Sequence, residues 1–387
     1  MQMERQALEA EAHRGVEALQ RGDFAAARDA FVTVTGSGTA SPQAWLFLAQ
    51  ACEGLGDSST GRSAIDQVLA ADQGNPFALF MKADLYARDG DDRASVSFYR
   101  MGLRRAAELA QLPGDLPDRV RRAEAAVAAA EERFEEKLER TLAERGIDSV
   151  PHRFAEALAI ASGKQPVYLQ HPTSFYFPGL PQMPWYAREM FPWVNELEQA
   201  VPDMRAEIEQ VLAEDQGLEP YVQEDAERAS RGHSLLNDAR WSAFHLFKAG
   251  ERVEENAARC PLIMRLLQPL PIPIIQRRSP MALISILKPG THIPPHHGML
   301  NTRLICHIPL VVPKGCRLRV GAETREVVEG RAMIFDDSFE HEAWNDSDSV
   351  RAVLLFEIWR PEISEEEKVA LTAMFEAVTG YDAPSED

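Results

Sequence analysis

The chain has 387 residues, enough for two or three domains, and its 45% hydrophobic and 26% charged residues are ordinary values for a globular protein. Its 41 basic residues against 60 acidic ones give a formal net charge of −19. This balance argues against a nucleic-acid-binding protein, which normally carries a basic face, so we expect no nucleic acid among its partners.

The composition also bears on the compartment of the protein. No stretch of the chain is apolar and long enough to predict a signal peptide or a transmembrane segment. The four cysteines are scattered without a CxxC spacing, at Cys52, Cys260, Cys306 and Cys316. Free thiols in a chain without a targeting signal predict a cytoplasmic protein.

Residues 1–115 have the pattern of helical repeats. The dipeptide Gly-Asp recurs every 34 residues, at Gly22-Asp23, Gly56-Asp57 and Gly90-Asp91. This is the period of a tetratricopeptide repeat, and we predict about three such repeats here. Small residues keep the same phase, as do large apolar ones, which would let paired helices approach and fill the gap between repeats. Two interpretations stay open: a groove that binds a protein partner, or a scaffold that only stabilises the next domain.

Residues 116–150 are predicted to form a long helix that caps the repeats and connects them to a second domain. Pro117 suits the first turn of this helix and Gly146 its end. The second domain is predicted to cover residues 151–387. Near its start, the stretch from Ser174 to Trp193 is too rich in proline to form a long helix.

From Met281 onward the chain is predicted to form strands. Six short segments are rich in β-branched and aromatic residues and are separated by Gly, Pro, Asp or Ser: MALISILK, RLICHIPLVVP, CRLRV, REVVEG, AMIFDD and VRAVLLFEIW. A run of short strands predicts a jelly roll or small barrel, with its core at about residues 275–362.

Histidines cluster beside these strands. His296 and His297 precede one strand, and His341 lies in the stretch FDDSFEHEAW. Such a cluster indicates a metal site, but the usual non-haem iron site has two histidines and one carboxylate. Where that carboxylate is expected, two residues after His296, the chain has Gly298.

Three carboxylates lie near His341 in sequence, at Asp336, Asp337 and Glu340. They are either rival metal ligands or residues that order the turn before His341, and we favour the second interpretation.

Alternation along two strands predicts which side chains point inward. Arg303, Ile305 and His307 share one face of their strand, and Arg351 shares a face with Leu355. A buried Arg351 would require an anion, because an unpaired buried charge is costly, and its planar fork suits a carboxylate.

The three motifs resemble those of the aspartyl/asparaginyl β-hydroxylases, which are Fe(II)- and 2-oxoglutarate-dependent dioxygenases. The resemblance is carried by SILKPGTHIPPHHGMLNTRLICHIPL, FDDSFEHEAWN and VRAVLLFEIWRPEI, and it runs from about Phe175 to about residue 365. It implies a multidomain fold: an all-α tetratricopeptide-like superhelix, which animal members of this family also carry, followed by a mainly-β double-stranded β-helix. This cupin-like jelly roll would have flanking helices.

The resemblance also implies a site. His296 and His341 match the two iron ligands of the family, in which a glycine stands in the carboxylate's place, as Gly298 does here. Water would take the coordination position that this glycine leaves open.

The cosubstrates implied by the resemblance are 2-oxoglutarate and O2. Ser285 and Arg351 match the positions that hold the distal carboxylate of 2-oxoglutarate. His307 matches the position that contacts its other carboxylate.

One position departs from the family pattern. Ile305 stands where the animal enzymes have an arginine that contacts the carboxylate of the substrate aspartate. Arg303, two residues earlier on the same predicted face, is the candidate to replace that contact.

Three functions fit these residues. The one we favour is hydroxylation of an Asp- or Asn-type residue in a peptide or protein, which the repeats would help to recruit. The alternative is hydroxylation of a small molecule or a lipid acyl chain, as in related bacterial enzymes, and the apolar Ile305 suits it. The third is a non-catalytic scaffold, which the intact His296, His341 and Arg351 disfavour. A halogenase, with chloride in the carboxylate's place, is a further alternative that we rank low.

Overall fold

The computed structural model of the chain describes residues 2–147, 149–214, 216–224 and 234–382. It divides into two compact units, Met1–Pro166 and Val167–Asp387. The sequence analysis places a boundary between independently folding domains near residue 150, and that boundary stays a prediction. In the described residues, no helix is long and apolar enough to cross a bilayer.

The first unit is built of helices that follow one another as antiparallel pairs. Their bounds are α1 (Gln2–Gln20), α2 (Phe24–Gly36), α3 (Pro42–Leu55), α4 (Ser58–Ala71), α5 (Pro76–Arg88), α6 (Asp92–Ala107), α7 (Leu116–Glu144) and α8 (His152–Ala161). The predicted repeats correspond to α1–α6, and the predicted connecting helix corresponds to α7.

The Gly-Asp dipeptides mark the turn inside each helix pair. Gly22, Gly56 and Gly90 have φ of 74°, 72° and 77°, a left-handed conformation that glycine adopts without steric cost. The aspartate that follows each glycine caps the next helix, since its side chain accepts a hydrogen bond from the backbone N–H three residues later. The repeated dipeptide therefore encodes the helix–turn–helix unit.

Small residues allow close approach of the helices, as the sequence predicts. A Cβ atom at Gly15 would lie 2.7 Å from the ring of Phe31, and a Cβ atom at Gly102 would lie 2.7 Å from the ring of Phe80. Both rings are buried in the core of this unit. Any larger residue at these glycines would displace them.

The second unit is a double-stranded β-helix with flanking helices. Its strands are β1 (Trp185–Tyr186), β2 (Glu219–Pro220), β3 (Trp241–Lys248), β4 (Glu251–Arg252), β5 (Ala282–Leu287), β6 (Thr291–His296), β7 (Arg303–Val311), β8 (Cys316–Val320), β9 (Glu323–Glu326), β10 (Met333–Phe335), β11 (His341–Asn345) and β12 (Arg351–Trp359). Its helices are α9 (Val194–Gln199), α10 (Val201–Glu214), α11 (Glu254–Arg259), α12 (Pro261–Leu267) and α13 (Glu365–Asp382), with a 3₁₀ turn at Arg188–Met190.

The strands form two antiparallel sheets. The larger sheet has the order β1-β10-β7-β12-β5-β3-β2, with β4 paired to β3, and the smaller has the order β6-β11-β8-β9. One apolar cluster contains residues of both sheets, including Leu283 and Leu355 from the larger and Ile293 and Leu318 from the smaller. The inner faces of the two sheets therefore pack on each other.

Alternation along β7 and β12 separates two environments. Leu304, Cys306, Ile308 and Leu310 of β7, and Ala352, Leu354, Phe356 and Ile358 of β12, pack with the helices α9, α10 and α12. The intervening residues, among them Ile305 and Leu355, face the smaller sheet. The inward face predicted for Arg303, Ile305 and His307 is thus confirmed.

A buried ion pair holds the turn that precedes β11. The carboxylate of Asp336 accepts hydrogen bonds from Arg360 Nη1 and from Gln170 Nε2, each at 2.7 Å. Its other oxygen accepts from the backbone N–H of Ser338 at 3.0 Å. Asp336 and Arg360 are both 0% exposed. This network joins the end of β12 to the turn that leads into His341.

Loss of the Arg360 charge should destabilise the fold strongly. We expect Arg360→Met to lower the free energy of unfolding by about 3–5 kcal/mol, because it leaves the buried Asp336 carboxylate without its cation. Urea denaturation of the full chain measures this. The control is Arg317→Met, which removes an exposed pair with Asp346 and should cost about 1 kcal/mol or less.

The double variant Asp336→Asn, Arg360→Met should be more stable than Arg360→Met alone, since no unpaired charge remains. If the single variant costs no more than the exposed control, the pair does not hold this turn.

Candidate active site

A cavity of about 300 Å³ lies between the two sheets. Every residue that the sequence analysis assigns to the site lines this cavity: Ser285, His296, Arg303, Ile305, His307, His341 and Arg351. They come from both sheets and are up to 66 positions apart in the chain (285 to 351), so it is the fold that brings them together.

The register of β6 and β11 brings the two predicted metal ligands together. His341 pairs directly with His296 across these strands, and the centroids of their rings lie 4.1 Å apart. Nδ1 of His296 lies 2.8 Å from the carbonyl oxygen of Pro294, and Nδ1 of His341 lies 3.0 Å from that of Phe339. Donation from each Nδ1 to its carbonyl leaves the lone pair on Nε2 free to bind a metal, as is usual for histidine ligands whose other nitrogen is hydrogen-bonded.

Burial keeps the His341 ring in the form that can bind a metal. It lowers the pKa of His341 to about 4, an effect that outweighs the nearby carbonyl of Phe339. The ring is therefore neutral at physiological pH, as a metal ligand has to be.

Among the described residues, no third metal-ligating side chain lies with the two histidines. Within residues 2–147, 149–214, 216–224 and 234–382, no group of three His, Cys, Asp or Glu side chains is placed to hold a metal ion. A Cβ atom at Gly298 would lie 2.1 Å from Oδ2 of Asp337, so the Asp337 carboxylate occupies the space that a side chain at position 298 would need. The glycine is therefore required by the close approach of Asp337.

The sequence analysis expected Asp337 to order the turn before His341, and the structure shows in addition that it lines the cavity. Burial raises its pKa to about 6; Arg303 opposes this shift, and Glu357 adds to it. Its Oδ1 is buried and has no hydrogen-bond partner among the described residues. Asp336 does order the turn, and Glu340 pairs with Arg319 at 2.8 Å.

Arg351 is a buried cation that has no counter-ion among the described residues. It is 1% exposed, and its Nε and Nη2 atoms lack a hydrogen-bond partner there. Burial lowers the pKa of Arg351 to about 10, which leaves the guanidinium charged at neutral pH. Since a charge buried in this way is costly, an anionic ligand would suit this part of the cavity.

His307 and Ser285 lie in the same cavity as Arg351. The pKa of His307 is held well below its usual range by burial and, to a lesser extent, by Arg351 and His341, so the ring is neutral. Its Nδ1 is buried without a partner. Ser285 Oγ accepts a hydrogen bond from Trp241 Nε1 at 3.3 Å.

Trp241 and Tyr221 are cavity residues that the sequence analysis missed. Their rings stack 4.0 Å apart with an angle of 8° between the planes, and the Trp241 ring lies 6.1 Å from that of His296. Trp241 begins β3, whose alternating sequence WSAFHLFK is typical of a strand. This segment lies 40 residues before the first predicted strand (241 to 281).

Arg303 is already balanced by two carboxylates. Its Nη1 donates to Glu357, and its Nη2 lies 3.6 Å from Asp337. Burial would lower the pKa of Arg303, but Glu357 and Asp337 together raise it above its ordinary value. Glu357 is itself held by the backbone N–H of Met281. Arg303 therefore provides no unpaired positive charge near Ile305.

Two further histidines near β6, His297 and His292, do not line the cavity. His297 is partly buried beside His171, with ring centroids 5.3 Å apart. His292 lies in β6, where its ring stacks on Trp344 at 5.0 Å and contacts Glu342.

The second unit is similar to known proteins. The family model described as aspartyl/asparaginyl beta-hydroxylase matches residues 198–361. Aspartyl/asparaginyl beta-hydroxylase of Homo sapiens is 35% identical over 200 residues, which are 51% of this chain and 25% of that protein. Ornithine lipid ester-linked acyl 2-hydroxylase of Rhizobium tropici is 35% identical over 181 residues, which are 46% of this chain and 61% of that protein.

The matches cover part of each protein, between a quarter and about three fifths of these two relatives' lengths. Among solved structures, PcrH from Pseudomonas aeruginosa aligns with a TM-score of 0.29 and 19% identity, over 32% of this chain and 92% of that chain. The helical fold of the first unit rests on its own helix pairs and not on this likeness. The sequence matches, together with the paired histidines beside Gly298, show that residues 198–361 are similar to the aspartyl/asparaginyl beta-hydroxylases.

Proposed function

We propose that the chain is an Fe(II)- and 2-oxoglutarate-dependent dioxygenase that hydroxylates an unactivated C–H bond. The observation that carries this proposal is the charged Arg351, which has no ion-pair partner among the described residues and is buried in the same cavity as the His296–His341 pair. Two facing histidines and an unpaired cation in one cavity suit a metal centre with an anionic cosubstrate.

The unsatisfied polar atoms of the cavity fit 2-oxoglutarate. A dicarboxylate offers one carboxylate to the guanidinium of Arg351 and the Ser285 hydroxyl, and a second to the buried Nδ1 side of His307. These interactions would satisfy atoms that are otherwise buried without a partner, which costs about 1–3 kcal/mol for each such group.

The histidine pair fits a divalent iron. Two neutral imidazoles, each oriented by a backbone carbonyl, would hold the ion through Nε2. When bound, iron together with 2-oxoglutarate and O2 supplies the oxidation of a C–H bond, with succinate and CO2 as coproducts.

The side chains of the cavity position the cosubstrate and limit the access of water. Arg351 fixes one end of the cosubstrate, while apolar side chains such as Leu318, Phe335 and Leu355 line the cavity and limit the water in it. Asp337 places an oxygen without a hydrogen-bond partner next to Gly298, where it can accept a hydrogen bond from water.

The target that we favour is an Asn- or Asp-type residue in a peptide or protein, in line with the printed name of the human relative. Within this class, an uncharged asparagine suits the cavity better than aspartate. Arg303 is neutralised by Glu357 and Asp337, and Ile305 is apolar, so a substrate carboxylate would be desolvated without a cation.

A second candidate target is a lipid acyl chain or another apolar small molecule. The apolar lining around Ile305 and Leu355 favours it, and the name of the Rhizobium tropici relative states an acyl hydroxylase. Mass spectrometry of host metabolites, lipids and peptides incubated with and without the enzyme, searching for the gain of one oxygen, distinguishes the two targets.

Removal of either paired histidine should abolish iron binding. We expect His296→Ala and His341→Ala to lose the single Fe(II) that the wild-type chain retains after anaerobic dialysis, because one imidazole cannot hold the ion alone. The matched control is His297→Ala, which should keep its iron. Full iron content in both ligand variants would refute the site.

Arg351→Ala should weaken 2-oxoglutarate at least about 30-fold, which corresponds to about 2 kcal/mol for losing one partner of a buried charge pair. The iron content should not change. Anaerobic titration of the iron-loaded protein, followed by charge-transfer absorbance, measures the dissociation constant. Arg317→Ala serves as a control outside the cavity, and equal affinities in the two variants would place the cosubstrate elsewhere.

Ile305 is expected to disfavour charged targets. Wild type should hydroxylate an Asn-containing peptide or an acyl chain faster than an Asp-containing peptide, and Ile305→Arg should shift this preference towards Asp by adding a cation. Turnover is measured by product mass for each target. Efficient hydroxylation of the Asp peptide by wild type, with no gain in Ile305→Arg, would show that Arg303 makes the contact despite its two carboxylate partners.

A further inference from the structure

Arg303 is balanced in charge but not in hydrogen bonding. Glu357 accepts a hydrogen bond from its Nη1, and Oδ2 of Asp337 lies 3.6 Å from its Nη2, which is too far for a hydrogen bond. The Nε atom of Arg303 is buried and has no partner in the part of the chain that the structure describes. The edge of the planar guanidinium that carries Nε and Nη2 is therefore an open donor in the cavity wall.

Asp337 provides an open acceptor in the same wall. It is 7% exposed and lines the cavity with Arg303. Its Oδ1 is buried without a hydrogen-bond partner among the described residues. Since the two side chains approach each other to 3.6 Å, the donor and the acceptor are neighbours, and each is costly to bury unpaired.

This pair of side chains lies beside the facing histidines. The backbone N–H of Gly298, two residues after His296, donates to the carbonyl oxygen of Asp337 at 2.6 Å, and Asp337 precedes His341 by four residues (337 to 341). A group bound by Arg303 and Asp337 would therefore lie next to the metal-binding position and would leave Arg351 to the cosubstrate.

The group that satisfies both open atoms is uncharged and has a donor beside an acceptor. A primary carboxamide has this pattern, because its carbonyl oxygen can accept from Arg303 while its NH2 donates to Asp337. A carboxylate has acceptors alone and would face the carboxylate of Asp337. A hydrocarbon chain would leave both buried atoms unpaired.

We propose that Arg303 and Asp337 form a donor–acceptor pair that recognises a primary carboxamide on the target, such as the side chain of asparagine. This inference rests on the function proposed above, and it selects an amide over both a carboxylate and an acyl chain. A site built to hydrogen-bond a polar group strongly rejects analogues that lack this group, because its own buried atoms then stay unpaired.

The test measures binding in the absence of O2, so that its outcome does not depend on turnover. Iron-loaded full-length protein saturated with 2-oxoglutarate is titrated by calorimetry with three short glycine peptides, which differ only in a central Asn, Asp or Leu. The three side chains have nearly the same shape and differ in their hydrogen-bonding groups. The Asn peptide should bind at least about tenfold more tightly than either of the others.

Two variants separate the donor from the acceptor. Asp337→Asn replaces an acceptor by a group that can donate and removes one negative charge beside Arg303, so the Asp peptide should gain about tenfold relative to the Asn peptide. Arg303→Lys keeps a charge beside Glu357 but removes the Nε donor. It should weaken the Asn peptide about tenfold and change the Leu peptide by less than about twofold.

The matched control is Asp346→Asn, which removes one negative charge from an exposed pair with Arg317. It should change each of the three affinities by less than about twofold. Iron content and the affinity for 2-oxoglutarate are measured on the same samples by metal analysis and charge-transfer absorbance.

These measurements distinguish failure of the inference from failure of the proposed function. Wild-type protein that does not bind 2-oxoglutarate would refute the proposed function. If iron and 2-oxoglutarate bind but the Asn peptide binds no better than the Leu peptide, or no peptide binds, the donor–acceptor pair alone is refuted. An equal ratio of Asn to Asp affinity in wild type and in Asp337→Asn would also refute it.

Discussion

The buried pair of Asp336 and Arg360 is the constraint on which the second unit depends. Both side chains are fully buried, and together with Gln170 they tie the entry segment of the unit, the turn before β11 and the end of β12 into one network. His341 follows this turn, and Asp337 lies within it. The positions of His341 and of the carboxylate beside Gly298 are therefore set by an ion pair that does not line the cavity.

The charges of the two arginines in the cavity, Arg303 and Arg351, are balanced to different extents. Arg303 is paired with Glu357 and lies near Asp337, whereas Arg351 is more deeply buried and has no carboxylate partner among the described residues. Because burying an arginine alone is costly, an anionic ligand beside Arg351 would stabilise the fold. The two arginines thus differ in how far their charge is already balanced by the protein.

Much of the architecture follows from local sequence signals. The Gly-Asp spacing predicted the helix pairs because a left-handed glycine and a capping aspartate are local requirements. Alternation predicted β5, β7 and β12, and the side chains of β7 that face the cavity. Strand β6 was missed because Pro294 and Pro295 lie in it, and they are tolerated there because β6 is an edge strand of its sheet.

Local sequence signals did not predict the contacts between residues that are far apart in the chain. The pairing of Arg303 with Glu357 and the closeness of Gly298 to Asp337 depend on sheet register and on how the sheets meet, which local patterns do not encode. The choice of His296 and His341 as ligands came from family resemblance, whereas their facing positions come from the β6–β11 pairing.

The division of the cavity between two sheets has a consequence for how the protein can change. The paired histidines stand on the smaller sheet, while Ser285, His307 and Arg351 stand on the larger one. The distance between the paired histidines and Arg351 is therefore set by the thickness of the apolar layer between the sheets, in which Ile293 and Leu318 meet Leu283 and Leu355. Substitutions in that layer would change the distance between the paired histidines and Arg351 without changing these residues. The length of ligand that the site accepts can therefore evolve without a change in any residue that binds it.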